Sequence, residues 1–91
     1  MKRVENKSSQ RVSFTYHSPD AAAVFIAGTF NDWDPRKSPF KKYSTGWKAV
    51  KYLAHGIYEY RFIVDGIWVD DPACQNRRPN QYGSENCVLE V

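Results

Sequence analysis

Tyr58-Glu59-Tyr60-Arg61-Phe62-Ile63-Val64-Asp65-Gly66-Ile67-Trp68-Val69 is the stretch on which the fold turns. Asp-Gly between two runs of aromatic and β-branched residues is the strongest short hairpin signal a sequence offers, and it predicts a two-residue type I′ turn. That turn sets the register: Val64 opposite Ile67, Ile63 opposite Trp68, Phe62 opposite Val69 and Arg61 opposite Asp70. Cross-strand partners share a face. One face therefore carries Tyr58, Tyr60, Phe62, Val64, Ile67 and Val69, is almost wholly apolar, and is read as core. The other carries Glu59, Arg61, Ile63, Trp68 and Asp70; being mixed, it is read as facing solvent or a partner.

The same alternation recurs on either side. From Gln10, Val12, Phe14 and Tyr16 point one way and Arg11, Ser13 and Thr15 the other, as in a half-buried strand. Ser18-Pro19-Asp20 turns the chain, Ala23 to Ala27 forms a second strand stopped by Gly28, and Asn31 to Pro39 reads as a loop. Phe40 to Tyr43 is a brief edge strand guarded by Lys41 and Lys42. Ser44-Thr45-Gly46 turns into a strand from Trp47 to Leu53, ended by His55-Gly56. A long Asn-, Arg- and Pro-rich loop runs from Asp71-Pro72 to Gly83, and Asn86 to Val91 is the last strand. Short strands at close spacing without a helical period predict an all-β, small antiparallel sandwich spanning 10–91, with 1–9 as a flexible N-terminal arm.

Composition narrows the function. Hydrophobic residues at 42% are enough for one thin core in 91 residues. A net charge of +3 with scattered basic residues lacks the dense stripe of a nucleic-acid reader. No apolar run is long enough to span a membrane, and no apolar stretch follows Lys2 and Arg3 as a signal peptide requires. Cys74 and Cys87 match no zinc spacing, nor do His17 and His55 stand at ligand spacing to them, so no metal or cofactor is expected. The two cysteines are read as free thiols in a reducing, cytoplasmic setting.

Two tryptophans stand beside turn signals: Trp33 after Asn31-Asp32, and Trp68 after Asp65-Gly66. Rigid aromatic faces at turn rims suit flat ligands such as sugar rings and bases. Trp47, opening a strand after Gly46, is read as core instead. Asp70-Asp71 has the composition of a hydrolytic carboxylate pair, but neighbours on a strand point to opposite faces and cannot flank one bond. The chain is therefore expected to bind rather than catalyse.

Val24-Phe25-Ile26-Ala27-Gly28-Thr29-Phe30-Asn31-Asp32-Trp33, then Gly56 to Trp68, then Asp71-Pro72, closely resemble carbohydrate-binding module family 48. The group includes the glycogen-binding domain of the AMP-activated protein kinase β subunit and the N-terminal domains of isoamylases and glycogen-branching enzymes. The resemblance covers about Val12 to Val91 and implies an immunoglobulin-like β-sandwich. It implies that Trp33 and Trp68 form the sugar platform and that Arg61 assists them, where the kinase subunit typically has lysine. It aligns Tyr82-Gly83-Ser84-Glu85-Asn86 with a ligand-contacting loop, placing Ser84 on a hydroxyl position and Asn86 on a polar asparagine. Tyr82 replaces an aliphatic residue that packs against the sugar; it either adds a third stacking surface or narrows the groove.

The expected ligand is an α-1,4-linked glucan such as glycogen or starch, or a malto-oligosaccharide, with a glycogen-metabolising enzyme as a further partner. A glucose ring offers an apolar C–H face to an indole, while Arg61 and Asn86 offer donors and acceptors to its hydroxyls. Two rival readings stand beside this one. The first is a structural or protein-interaction sandwich that binds no sugar. The second is a single-strand nucleic-acid binder, which the sparse charge disfavours.

Overall fold

Strands β1 (Gln10–Tyr16), β2 (Val24–Gly28), β3 (Lys41–Tyr43), β4 (Gly46–Leu53), β5 (Ile57–Val64), β6 (Ile67–Val69), β7 (Arg77–Pro79) and β8 (Glu85–Glu90) make up the regular structure of a computed structural model that describes residues 9–91. Apart from Ser9, the expected N-terminal arm lies outside the described residues. One sheet runs β1-β4-β3; the other runs β2-β5-β8-β7, with β6 also paired to β5. All pairings are antiparallel. The architecture is the all-β sandwich that the alternation predicts.

The core lies between the sheets. Phe14, Trp47 and Ala49 enter it from the three-stranded sheet; Val24, Ile26, Tyr60, Phe62 and Cys87 enter from the other. Phe62 sits at its centre, edge-on to Tyr16 at 5.7 Å and to Phe40 at 5.1 Å between ring centroids. Phe14 meets Tyr60 edge-on at 5.0 Å. Such aromatic pairs each contribute about 0.5–1.5 kcal/mol beyond area burial. Trp47 is core, as read, and its indole N–H donates to the Ser18 carbonyl at 3.1 Å. Tyr60 also carries a polar handle. Its hydroxyl donates to buried Asp71 at 2.6 Å, and burial together with that bond pushes its pKa above the ordinary tyrosine value.

The β5–β6 hairpin has the register that Asp65-Gly66 predicts: Val64↔Ile67, Ile63↔Trp68, Phe62↔Val69. Asp65 and Gly66 both have positive φ, at 51° and 83°, as a type I′ turn requires. The Asp65 carboxylate also anchors the hairpin tip, accepting the backbone N–H groups of Ala22 and Ala23 at 2.8 and 2.9 Å.

Four expectations need correction. Cys74 and Cys87 are not free thiols but a disulfide. The loop between them folds back until their Cα atoms lie 6.1 Å apart, within bridging range, which sequence spacing alone did not reveal. The step from free thiols to a reducing compartment therefore no longer holds. The 71–83 segment is not all loop: β7 pairs with β8, but three residues ending in proline carry no alternation to read. Ile67, placed in the core, is 66% exposed because the hairpin tip overhangs the sandwich. Ile63, placed on the open face, is only 6% exposed; its cross-strand neighbours Phe25 and Trp68 are both large and share its face. No helix in the described residues is long and apolar enough to cross a membrane.

Candidate functional site

Three elements converge beyond the outer face of the five-stranded sheet: the loop after β2, the β5–β6 hairpin, and the β7–β8 connection. Trp33, Arg61, Trp68, Gln81, Tyr82 and Asn86 line one groove there of about 650 Å³. Five of these six were expected site residues; Gln81 was not. Ser84, the sixth expected residue, is absent from the lining and stands behind Arg61.

Trp33 is presented by an unusual backbone. Asp32 and Trp33 both adopt left-handed φ, at 59° and 58°. For a bulky residue this conformation is an outlier, and it persists only where the surroundings over-determine it. Here they do. Buried Asn31 accepts the Gly28 N–H at 2.9 Å and donates to the Ile26 carbonyl at 3.0 Å and Ser38 Oγ at 2.9 Å. The Trp33 N–H in turn donates to the Gly28 carbonyl at 2.9 Å. On the far side, Asp34 caps the Pro35–Lys37 turn by accepting the Arg36 N–H at 3.0 Å. Its hydrogen bonds from Arg36 hold its carboxyl below the usual range. The outcome is a half-buried indole on a rigid loop.

Trp68 follows from the hairpin register. It is 43% exposed, on the same face as Arg61. Arg61 is largely buried and strongly held. Nη1 donates to Ser84 Oγ at 3.2 Å, while Nη2 donates to Asp70 Oδ1 at 3.2 Å and the Trp68 carbonyl at 3.4 Å. A guanidinium has five N–H donors, so two remain: Nε–H, which is buried without a protein partner, and one Nη1–H. Both the cross-strand ion pair with Asp70 and a place in the groove thus hold for one side chain.

The β7–β8 connection is organised by Asn80, a residue the sequence reading passed over. Its Oδ1 accepts the backbone N–H of Tyr82 at 2.9 Å and of Ser84 at 3.2 Å. Its Nδ2 donates to Ser84 Oγ and Asn86 Oδ1, both at 3.0 Å. An asparagine after proline that captures the N–H two residues on is an Asx turn, and Pro79-Asn80 was its readable signal. Asn86 also donates to Glu59 Oε1 at 3.0 Å, leaving one N–H and one lone pair for a ligand. Tyr82, at the tip, is 82% exposed and receives a bond from Gln81 at 2.9 Å.

Chemically, the groove offers three aromatic faces rimmed by a few unsatisfied donors and acceptors. The carboxylates beside it are committed: Asp70 to Arg61 and Arg77, Asp71 to Tyr60. A second concavity of about 380 Å³, beside Tyr16, Tyr43 and Trp47, lies on the other sheet and contains none of the expected site residues.

Residues 10–91 match the glycogen recognition site of AMP-activated protein kinase. Among similar proteins, the human 5′-AMP-activated protein kinase subunit β-2 is 44% identical over 68 residues, 75% of this chain and 24% of the relative. The bovine β-1 subunit is 34% identical over the same span and fractions. The pig β-1 subunit is 32% identical over 68 residues, which make up 53% of that sequence. The chain thus spans between a quarter and about half of the length of these relatives.

Proposed function

The chain belongs to the family of the glycogen recognition site of AMP-activated protein kinase, and on that premise we propose that it is a non-catalytic module binding α-1,4-linked glucan, with Trp33 and Trp68 stacking on glucose rings. The observation that carries this reading is the gathering of both indoles, Arg61, Tyr82 and Asn86 around one groove. An indole face buries the C–H face of glucose, and the free Arg61 and Asn86 groups meet hydroxyls. Each hydrogen bond contributes only about 0.5–1.5 kcal/mol net, because water competes. Short oligosaccharides are therefore held modestly, and a glucan polymer more tightly where several modules act together. Tyr82 serves as a third stacking surface rather than a plug, since most of its ring stands clear of the protein. Because the relatives are named as kinase subunits, we include a kinase, beside a glycogen-metabolising enzyme, among the proposed partners.

Calorimetric titration of maltoheptaose into wild type and Trp33→Ala/Trp68→Ala tests the reading. Two lost stacking faces should weaken binding by more than about thirtyfold, at ~1 kcal/mol per ring beyond area burial. Glycogen and amylose should compete, and cellulose should not. A wild type without saturable response, or a double variant that binds equally, overturns it. Retention of a lysate kinase without retention on amylose resin would favour the protein-interaction reading instead.

A further inference from the structure

Two carboxylates at the rear of the groove are divided in the same way. Asp70 accepts from groove residue Arg61 on Oδ1 and from Arg77 on Oδ2, both at 3.2 Å. Glu59 accepts from groove residue Asn86 on Oε1 at 3.0 Å and from Arg78 on Oε2 at 2.8 Å. Each carboxylate thus faces the groove with one oxygen and a consecutive arginine of β7 with the other.

Stability does not account for these arginines. The Asp70 and Arg78 side chains are 39% and 58% exposed and their partners Arg77 and Glu59 30% and 22%, and ion pairs that open to solvent contribute about 0–1 kcal/mol. Orientation does. A carboxylate free to rotate would let the Arg61 guanidinium and the Asn86 amide swing, and each has only a few groups left to offer a ligand. Fixing the outer oxygen fixes the inner one, as outer-shell partners do for metal ligands.

β7 is itself fastened. It is an edge strand of three residues, paired only with β8, in the register Arg77↔Cys87 and Arg78↔Asn86. The Cys74–Cys87 disulfide ties the segment entering β7 to the strand residue that follows Asn86. Arg77 adds a bond from Nη2 to the Asp71 carbonyl at 3.1 Å.

We propose that β7 is a clasp: Arg77 and Arg78 position Arg61 and Asn86 through Asp70 and Glu59, and the Cys74–Cys87 disulfide keeps the clasp shut, so that glucan affinity depends on the thiol–disulfide state. This rests on the glucan-binding reading above. A dithiol reductant opens the clasp by giving up two electrons and two protons. The S–S bond breaks to two thiols, and the reductant becomes a disulfide. Residues 75–79 then keep only the short β7–β8 pairing, the Val88 N–H bond to the Asn76 carbonyl and the arginines' own bonds, and the two arginines lose their covalently fixed approach.

The test uses the whole chain in four states: oxidised wild type, wild type reduced by a dithiol, Arg77→Met/Arg78→Met, and Arg77→Lys/Arg78→Lys. Maltoheptaose affinity is measured by calorimetry. Side-chain resonances of the Asn86 amide and Arg61 Nε–H are followed by NMR without sugar. The Met variant should bind about five- to twentyfold more weakly, the loss of one or two hydrogen bonds, with an almost unchanged melting temperature. The Lys variant should recover most of that loss. Reduced wild type should bind more weakly and regain affinity on reoxidation.

Met-variant binding equal to wild type, with both resonances unmoved, overturns the proposal. Weakening by Met substitution with no effect of reduction overturns its redox half. Should wild type itself fail to bind maltoheptaose, the functional reading falls separately, while the sugar-free resonances still judge the clasp: shifted, it stands; unshifted, it is overturned.

Discussion

Gly28 is the glycine at which an added Cβ would be most crowded, although nothing in its extended backbone demands glycine. A Cβ there would lie 2.5 Å from the Glu59 carbonyl and 2.9 Å from Tyr60 Cβ, both on β5 and unable to move aside. Gly28→Ala should therefore destabilise by at least about 1–3 kcal/mol, the usual penalty of overpacking, read from urea unfolding. Ser84 is a subtler case. Its hydroxyl accepts from Arg61 and Asn80 and donates to Asn80, so it braces both side chains. At this scale the sequence was informative wherever register decided the matter. Arg61 and Trp68 fall on one face because Asp65-Gly66 admits a single pairing. Asn80 was legible only as a turn after Pro79, because its partners at 84 and 86 meet it only once the chain between β7 and β8 has closed.

The loop from Thr29 to Ser38 shows an element at odds with local preference. A left-handed backbone costs an L-residue about 1–2 kcal/mol, and Asp32 and Trp33 adopt it in succession. The usual order of alanine over glycine should therefore invert at 33. Trp33→Gly is expected to be about 1 kcal/mol more stable than Trp33→Ala, by thermal unfolding, with both equally poor in sugar binding. No pattern of apolar residues announces such a backbone. The sequence reading saw a loop here, noticed Trp33 beside a turn signal, and placed it next to Trp68 through family resemblance alone; the short turns at Thr29–Asn31 and Pro35–Lys37 follow from hydrogen bonds of Asn31 and Asp34 that no periodicity encodes. By contrast β1, β4, β5 and β8 were legible to within a residue or so, because each runs six or more residues between clear turn signals. β7, too short to alternate, was missed.

Across the whole molecule, one thin core is reinforced by one covalent link. The disulfide closes a loop of sequence separation 13. Its reduction should lower unfolding free energy by about 2–4 kcal/mol, chiefly through a less restricted unfolded chain, and denaturant titration with and without a dithiol would measure it. Alkali should act through Tyr60. Its folded pKa is raised by burial and Asp71, so above pH ~10 the unfolded chain releases a proton that the folded one retains. Stability then falls with rising pH by up to about 1.4 kcal/mol per unit. In Tyr60→Phe that slope should be shallower than in wild type, while below pH 9 the variant is less stable for want of the Asp71 bond. The hairpin tip has a different consequence, in chemical ageing. An Asp-Gly bond is among the sequences open to isoaspartate formation, in which the glycine nitrogen attacks the aspartate side-chain carboxyl with loss of water and the resulting succinimide is hydrolysed to the β-linkage. Asp65 holds its carboxylate against two backbone N–H groups, and that restraint lasts only as long as the fold. Stored folded, the module should keep Asp65-Gly66 intact; stored unfolded, it should accumulate a kinked β-linkage at the turn that sets its register, visible by peptide mapping as a chain that no longer refolds.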